Sequence, residues 1–313
     1  MIWNKPWKLA EGFLIGGGII VAGLMLEVSV GPVVWGAFSW PLNIIVLAGL
    51  LAMIAVMHLL RRQVYAFQFM STLAAAIPAI AYAVTLTLIM GLTRQTVGGT
   101  WINDMLSFWP FVLTYVYIAL ILGLAMLKRL EHFRWKNDIP FLLNHLGLFL
   151  ALTCGTLGNA DMQRLKMITA VGEPEWRVMD ENQQVKELDV AIELQRFIME
   201  QYDDGSPKRF ASEVRIMTKS GKNIHTTIDV NKPAQVDGWK IYQYGYDTAA
   251  GPQSQISIFE LVRDPWLPLV YIGIALMLAG ALSMFVLSQN RHRPDANKQV
   301  RLAKVTSDLT KNA

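Results

Sequence analysis

The chain has 313 residues, 53% of them hydrophobic and 17% charged, against roughly 25% charged in an average soluble protein. Its formal charge of +4 is unevenly spread: residues 158–264 carry 13 basic and 17 acidic side chains, a net of −4, while the remainder carries +8. An ordinary soluble domain and a uniformly basic nucleic-acid-binding protein are both excluded, and the single cysteine, Cys154, excludes an internal disulfide, a Cys-x-x-Cys redox pair and a thiolate metal cluster.

Taken in order, the opening MIWNKPWKLAEG is polar for too long to read as a cleavable signal, and the apolar run after it is long enough to span a bilayer. Spans are expected at about 13–30, 41–60, 72–92, 106–127 and 139–157, the first with Gly16–Gly18 and Gly23 as small packing residues. A polar interval over 158–265 follows, then a sixth helix over 266–288 and a basic tail over 289–313 that is disordered or lies on anionic lipid. The fold class expected is a polytopic α-helical membrane protein of six spans, with one β-rich domain inserted before the last.

Orientation follows from the cations. Lys5, Lys8, Arg61, Arg62, Lys128, Arg129, Arg134, Lys136 and the tail residues Arg291, Arg293, Lys298, Arg301, Lys304 and Lys311 all fall on one side of a six-span chain. The short loops opposite hold only Arg94. The positive-inside rule then places both termini in the cytoplasm and the polar interval outside, with Trp35, Trp40, Trp101, Trp109 and Trp266 as an outer aromatic belt.

Within that interval β-branched or alternating runs recur: Val190–Phe197, Ser212–Thr218, Asn223–Val230, Trp239–Tyr246 and Gln255–Leu261. Between them lie turn-forming stretches, among them Asp203-Asp204-Gly205-Ser206-Pro207, Ser220-Gly221, Asp237-Gly238 and Gly251-Pro252. The spacing predicts a small antiparallel sandwich or barrel.

Two stretches carry a resemblance. Asn144-His145-Leu146-Gly147-Leu148 opens a span that runs straight into the polar interval. Asp229-Val230-Asn231-Lys232-Pro233, then the aromatic run from Gly238-Trp239 to Tyr246, and finally Phe259-Glu260-Leu261 lead to the last span. In this order they resemble the ResB (CcsB) family of cytochrome c biogenesis system II, with the first four spans closer to the ResB half of Bacteroidetes-type fused ResB–CcsA synthases. The resemblance implies a subunit, non-catalytic alone, of a cytochrome c synthase. With a CcsA-type partner it would move haem b across the inner membrane and present apocytochrome c for covalent attachment. The tryptophan-rich haem-handling motif that belongs to CcsA has no counterpart among these residues.

Neutral imidazole is a strong axial ligand for haem iron, and an ionisable residue inside a membrane span is costly enough to be a functional candidate. Of five histidines, His132 and His292 lie in basic segments and His225 among strand-like residues, where solvated or surface roles are expected. His58 and His145 lie inside apolar runs, within about 10 Å of each other in depth at 1.5 Å per helical residue. Both are haem-ligand candidates, weighed against helix–helix hydrogen bonds or snorkelling to headgroups; His58, before a basic loop, matches the membrane-level histidine that the resemblance implies. Arg94 is a candidate for a haem propionate. Trp239, Tyr242 and Tyr244 are candidates for a haem or peptide shelf, although alternation puts half of a strand's side chains in the core. Cys154 reads as a buried small apolar residue rather than an exchanging thiol. The alternatives are a haem b subunit of a quinol-linked electron-transfer complex, or a non-catalytic membrane scaffold.

Overall fold

The computed structural model describes residues 3–96 and 98–291. It divides into two compact units, Met1–Ala160 with Leu267–Ala313, and Asp161–Trp266. The expected basic tail, from 292 onward, and His292 within it lie outside the described residues.

The helical unit contains α1 (Leu9–Val30), α2 (Leu42–Leu60), a short α3 (Tyr65–Met70), α4 (Leu73–Leu92), α5 (Trp109–Leu130), α6 (Trp135–Gly158) and α7 (Leu267–Arg291). Among the described residues, six helices are long and apolar enough to cross a membrane. Three helix starts are set by buried carboxylates rather than by hydropathy. Glu11 accepts the backbone N–H of Lys8 at 2.8 Å, so α1 begins four residues before its apolar run. Asp138 does the same for α6 by accepting from the Arg134 N–H at 2.5 Å. Glu27 reaches across from α1 to accept the Trp109 N–H at 3.2 Å, capping α5, whose own N-cap Phe108 offers no side-chain acceptor.

One end of the unit gathers its cationic segments. The Trp7 N–H donates to the Tyr65 hydroxyl at 3.0 Å, and the Trp7 ring packs edge-on against Tyr65 and Phe69. Lys128 Nζ donates to the Ser71 carbonyl at 3.2 Å, and Arg61 pairs with Glu131. At the other end the tryptophans fasten the loops: Trp109 Nε1 donates to the Gly31 carbonyl at 2.9 Å and Trp35 Nε1 to the Leu106 carbonyl at 3.1 Å. α6 and α7 pack most closely of all. A Cβ on Gly147 would collide with the Gly273 carbonyl oxygen, so only glycine fits that approach.

The second unit is a single eight-stranded antiparallel sheet in the order β5-β4-β3-β2-β1-β8-β7-β6. Its strands are β1 (Gln163–Ala170), β2 (Pro174–Met179), β3 (Val185–Gln201), β4 (Pro207–Thr218), β5 (Asn223–Asp229), β6 (Ala234–Val236), β7 (Trp239–Tyr246) and β8 (Ile256–Arg263). The sheet curls until β5 meets β6 and β7, giving the barrel-like form. Its interior is the alternate set of residues: Leu165, Met167, Val178, Val190, Ile192, Leu194, Val214, Ile216, Ile228, Ile241, Phe259 and Leu261.

The first and last strands are direct neighbours, with Gln163 opposite Arg263 through Ala170 opposite Ile256. The chain therefore enters and leaves the unit side by side, and Trp266 Nε1 closes the pair by donating to Asp161 at 2.7 Å. The β6–β7 turn is Asp237-Gly238 with φ of 46° and 84°, the left-handed pair that a two-residue hairpin requires.

Candidate functional site

At the cationic end of the helical unit lies a cavity of about 760 Å³, within the size range of small-molecule sites. Apolar residues of α4, α5 and α6, such as Ala76, Ala79, Ile121 and Leu148, form its walls; Lys128, Arg129, His132, Arg134 and Asp138 line it as well. His145 of α6 lines the same cavity.

The His145 ring is fixed twice. Its Nδ1 lies 2.9 Å from the Phe141 carbonyl oxygen one turn earlier, so Nδ1 carries the proton and donates. The ring also stacks on Phe141 at 3.7 Å between centroids. Among the described residues nothing hydrogen-bonds Nε2, which keeps its lone pair. A histidine whose Nδ1–H is held by a backbone carbonyl while Nε2 is open is the arrangement that metal-ligating imidazoles use. The donor set therefore suits haem iron: one imidazole nitrogen, apolar walls for a porphyrin and cations for its acid groups.

His58 is placed differently. It ends α2 with a side chain only 16% exposed, and its Nε2 lies 3.1 Å from Glu131 Oε1. Its Nδ1 faces Arg61 Nη1 at 3.3 Å. Arginine can only donate, so Nδ1 is the acceptor and Nε2–H donates to Glu131. Both nitrogens of His58 are thus engaged, and ligation of iron through Nε2 would require it to leave Glu131. His58 is not among the residues that line the cavity. The Arg61 guanidinium, hydrogen-bonded to Glu131, holds that carboxyl below its ordinary value.

The other sequence candidates do not join this site. Arg94 is exposed just beyond the C-terminus of α4, whereas Leu73 at its N-terminus lines the cavity. A 20-residue helix separates them, about 30 Å at 1.5 Å per residue. Trp239 faces into the β-sheet core at 6% exposure, while Tyr244 on the opposite face is 52% exposed, with Lys166 Nζ 4.1 Å above its ring. Neighbouring strand positions point to opposite faces, so the three aromatics do not form one shelf; only Tyr242 and Tyr244 share a surface. Cys154 is buried within α6. His225 is exposed on β5, and His132 lines the cavity. Sequence reasoning missed Asp138, Phe141, Lys128 and Arg129 as parts of the site; the spacing 138-141-145 along one helical face was the available signal.

A chain with six spanning helices and a barrel-like β-module spliced in before the last is a polytopic membrane protein with a single inserted domain. Residues 137–256 match the model of the ResB-like family. Similar curated proteins are named cytochrome c biogenesis protein CcsB. In one strain of Prochlorococcus marinus (NATL1A) the identity is 29% over 135 residues, 40% of this chain and 31% of the relative. In Prochlorococcus marinus subsp. pastoris it is 31% over 100 residues, 32% of this chain and 22% of the relative. Over these stretches the chain is similar to ResB-like and CcsB proteins. The matched stretches span 31% and 22% of the length of those two relatives. A solved structure titled cytochrome c heme lyase CcmF aligns with 89% of this chain and 46% of its own, at 13% identity and a TM-score of 0.37, a likeness too slight to argue from.

Proposed function

We propose that this protein is a subunit of cytochrome c biogenesis. With a CcsA-type haem-handling partner it moves haem across the bacterial inner membrane and presents apocytochrome c for covalent attachment. The ResB-like match and the printed names of the relatives support the process. The observation that carries the haem-handling role is His145: an imidazole with a free Nε2, oriented by the Phe141 carbonyl and facing an apolar cavity with a cationic rim.

In this reading the cationic end faces the cytoplasm and the β-module is periplasmic; the distribution of lysine and arginine supports it. Haem is then held in the inner half of the bilayer, with His145 as axial ligand and His58 able to contribute only after exchanging its bond to Glu131. The β-module contributes surface rather than chemistry, and the exposed Tyr244 with the half-buried Tyr242 beside it are its aromatic contacts for apocytochrome. A quinol-linked b-type cytochrome needs two histidines on facing helices, whereas among the described residues the cavity lining has His145 on α6 and His132 in the loop after α5.

The test is a haem titration of the purified chain, with and without its partner, followed by absorption. A histidine-ligated spectrum that disappears in His145→Gly and returns with added imidazole supports the reading. An unchanged spectrum in His145→Gly removes it.

A further inference from the structure

Among the described residues, Asp138 is the one acidic residue lining a cavity that also holds Lys128, Arg129 and Arg134. Its side chain is 3% exposed, and Oδ1 lies 2.6 Å from Arg129 Nη2. Its other oxygen accepts the Arg134 N–H at 2.5 Å and so fixes the start of α6. Arg129 is also 5.4 Å above the Phe141 ring, and Phe141 in turn stacks on His145. Arg129, Phe141 and His145 therefore form one column, with an acid group bound at its far end.

We infer that Asp138 is an internal stand-in for a carboxylate of the ligand, and that Arg129 is the residue that reads that carboxylate. The inference rests on the reading that this cavity holds haem. Leaving the histidines out of the count, three cations against one carboxylate give the described lining a formal +2, which matches an amphipathic dicarboxylate with a flat apolar body. A ligand centred at His145 presents its acid groups next to Arg129. Arginine exchanges one carboxylate for another at small cost, because its planar fork binds either in the same geometry. Asp138 keeps its bond to the Arg134 N–H when Arg129 leaves, so the helix start survives the exchange. Arg129 is a specificity residue in this scheme and Asp138 a competitor for it.

The probe is metal-free protoporphyrin, which has two propionates and no iron, titrated into the full chain by fluorescence. Wild type should bind it at least about tenfold more tightly than its dimethyl ester, the worth of one charge-assisted contact. Arg129→Gln should weaken binding of the diacid by about tenfold, and Asp138→Asn, which keeps an oxygen for the Arg134 N–H, should strengthen it by about threefold or more. Neither change should alter binding of the ester. Equal affinity of wild type for diacid and ester overturns the inference, and needs no variant to fold. Haem binding through His145 with no response to either substitution also overturns it and leaves the haem reading standing; failure to bind haem or porphyrin removes both.

Discussion

Two histidines sit in apolar helices near the same end of the molecule, and their surroundings could hardly differ more. Both ring nitrogens of His58 are committed, Nε2 to Glu131 and Nδ1 to Arg61, and Arg61 pairs again with Glu131. Around His145 the described commitment stops at Nδ1, and the residue lines a cavity. The first arrangement fastens the end of α2 to the residue that follows α5; the second holds a ring in position for something else. An ionisable residue in a membrane span is thus a candidate only until its lone pairs are accounted for.

The sharpest way to break the comparison is to remove each ring in turn. His145→Gly should abolish histidine-type haem absorption, restored by imidazole, while His58→Gly should keep the spectrum and lower the thermal midpoint in detergent. The reverse pattern would exchange the two roles.

The same contrast between a tied and an open side chain recurs along β7, where its size can be measured as stability. Trp239→Ala should cost the β-module about 3–5 kcal/mol, because it empties a packed interior position. Tyr244→Ala should cost less than about 1 kcal/mol, the worth of an exposed ring with a lysine above it. Denaturant unfolding of the two variants checks both, and equal losses would mean that the alternation is misread.

A smaller effect separates the latch at Glu131 from ordinary surface pairing. Arg61 holds the Glu131 carboxyl below the usual 4.5, so its contribution to stability is present above that value and lost as pH falls through the lower folded value. Wild type should exceed Glu131→Gln in thermal midpoint near neutral pH, and the two should converge as pH falls through the lowered Glu131 value. A constant difference across that range would assign the stabilisation to packing instead.

Much of the architecture was legible because a bilayer imposes long apolar runs and a sheet imposes alternation. Val190–Phe197, Ser212–Thr218, Asn223–Val230, Trp239–Tyr246 and Gln255–Leu261 each fall on a strand. β1 and β2 were passed over, although Leu165, Met167 and Thr169 alternate inward; a polar outer face of Arg164 and Lys166 and a bulge between Glu175 and Arg177 disguise them. α3 is six residues long, too short for a period to show. The caps at Glu27 and the column at Asp138, Arg129, Phe141 and His145 were less accessible, because each joins segments that meet only in three dimensions. Glu27 lies 82 residues from the N–H that it accepts. His145 could be singled out from sequence, but not the fact that one of its nitrogens is spoken for and the other is not.

The bare contact between Gly147 and Gly273 has a mechanical meaning. Two residues after His145, α6 has no side chain between its backbone and that of its neighbour, so the two helices meet backbone to backbone. If a guest settling against His145 nudges α6, α7 is carried with it, and those are the two helices from which the chain departs into the β-module and to which it returns. Replacing either glycine with a bulkier residue would loosen that coupling before it touched the pocket itself.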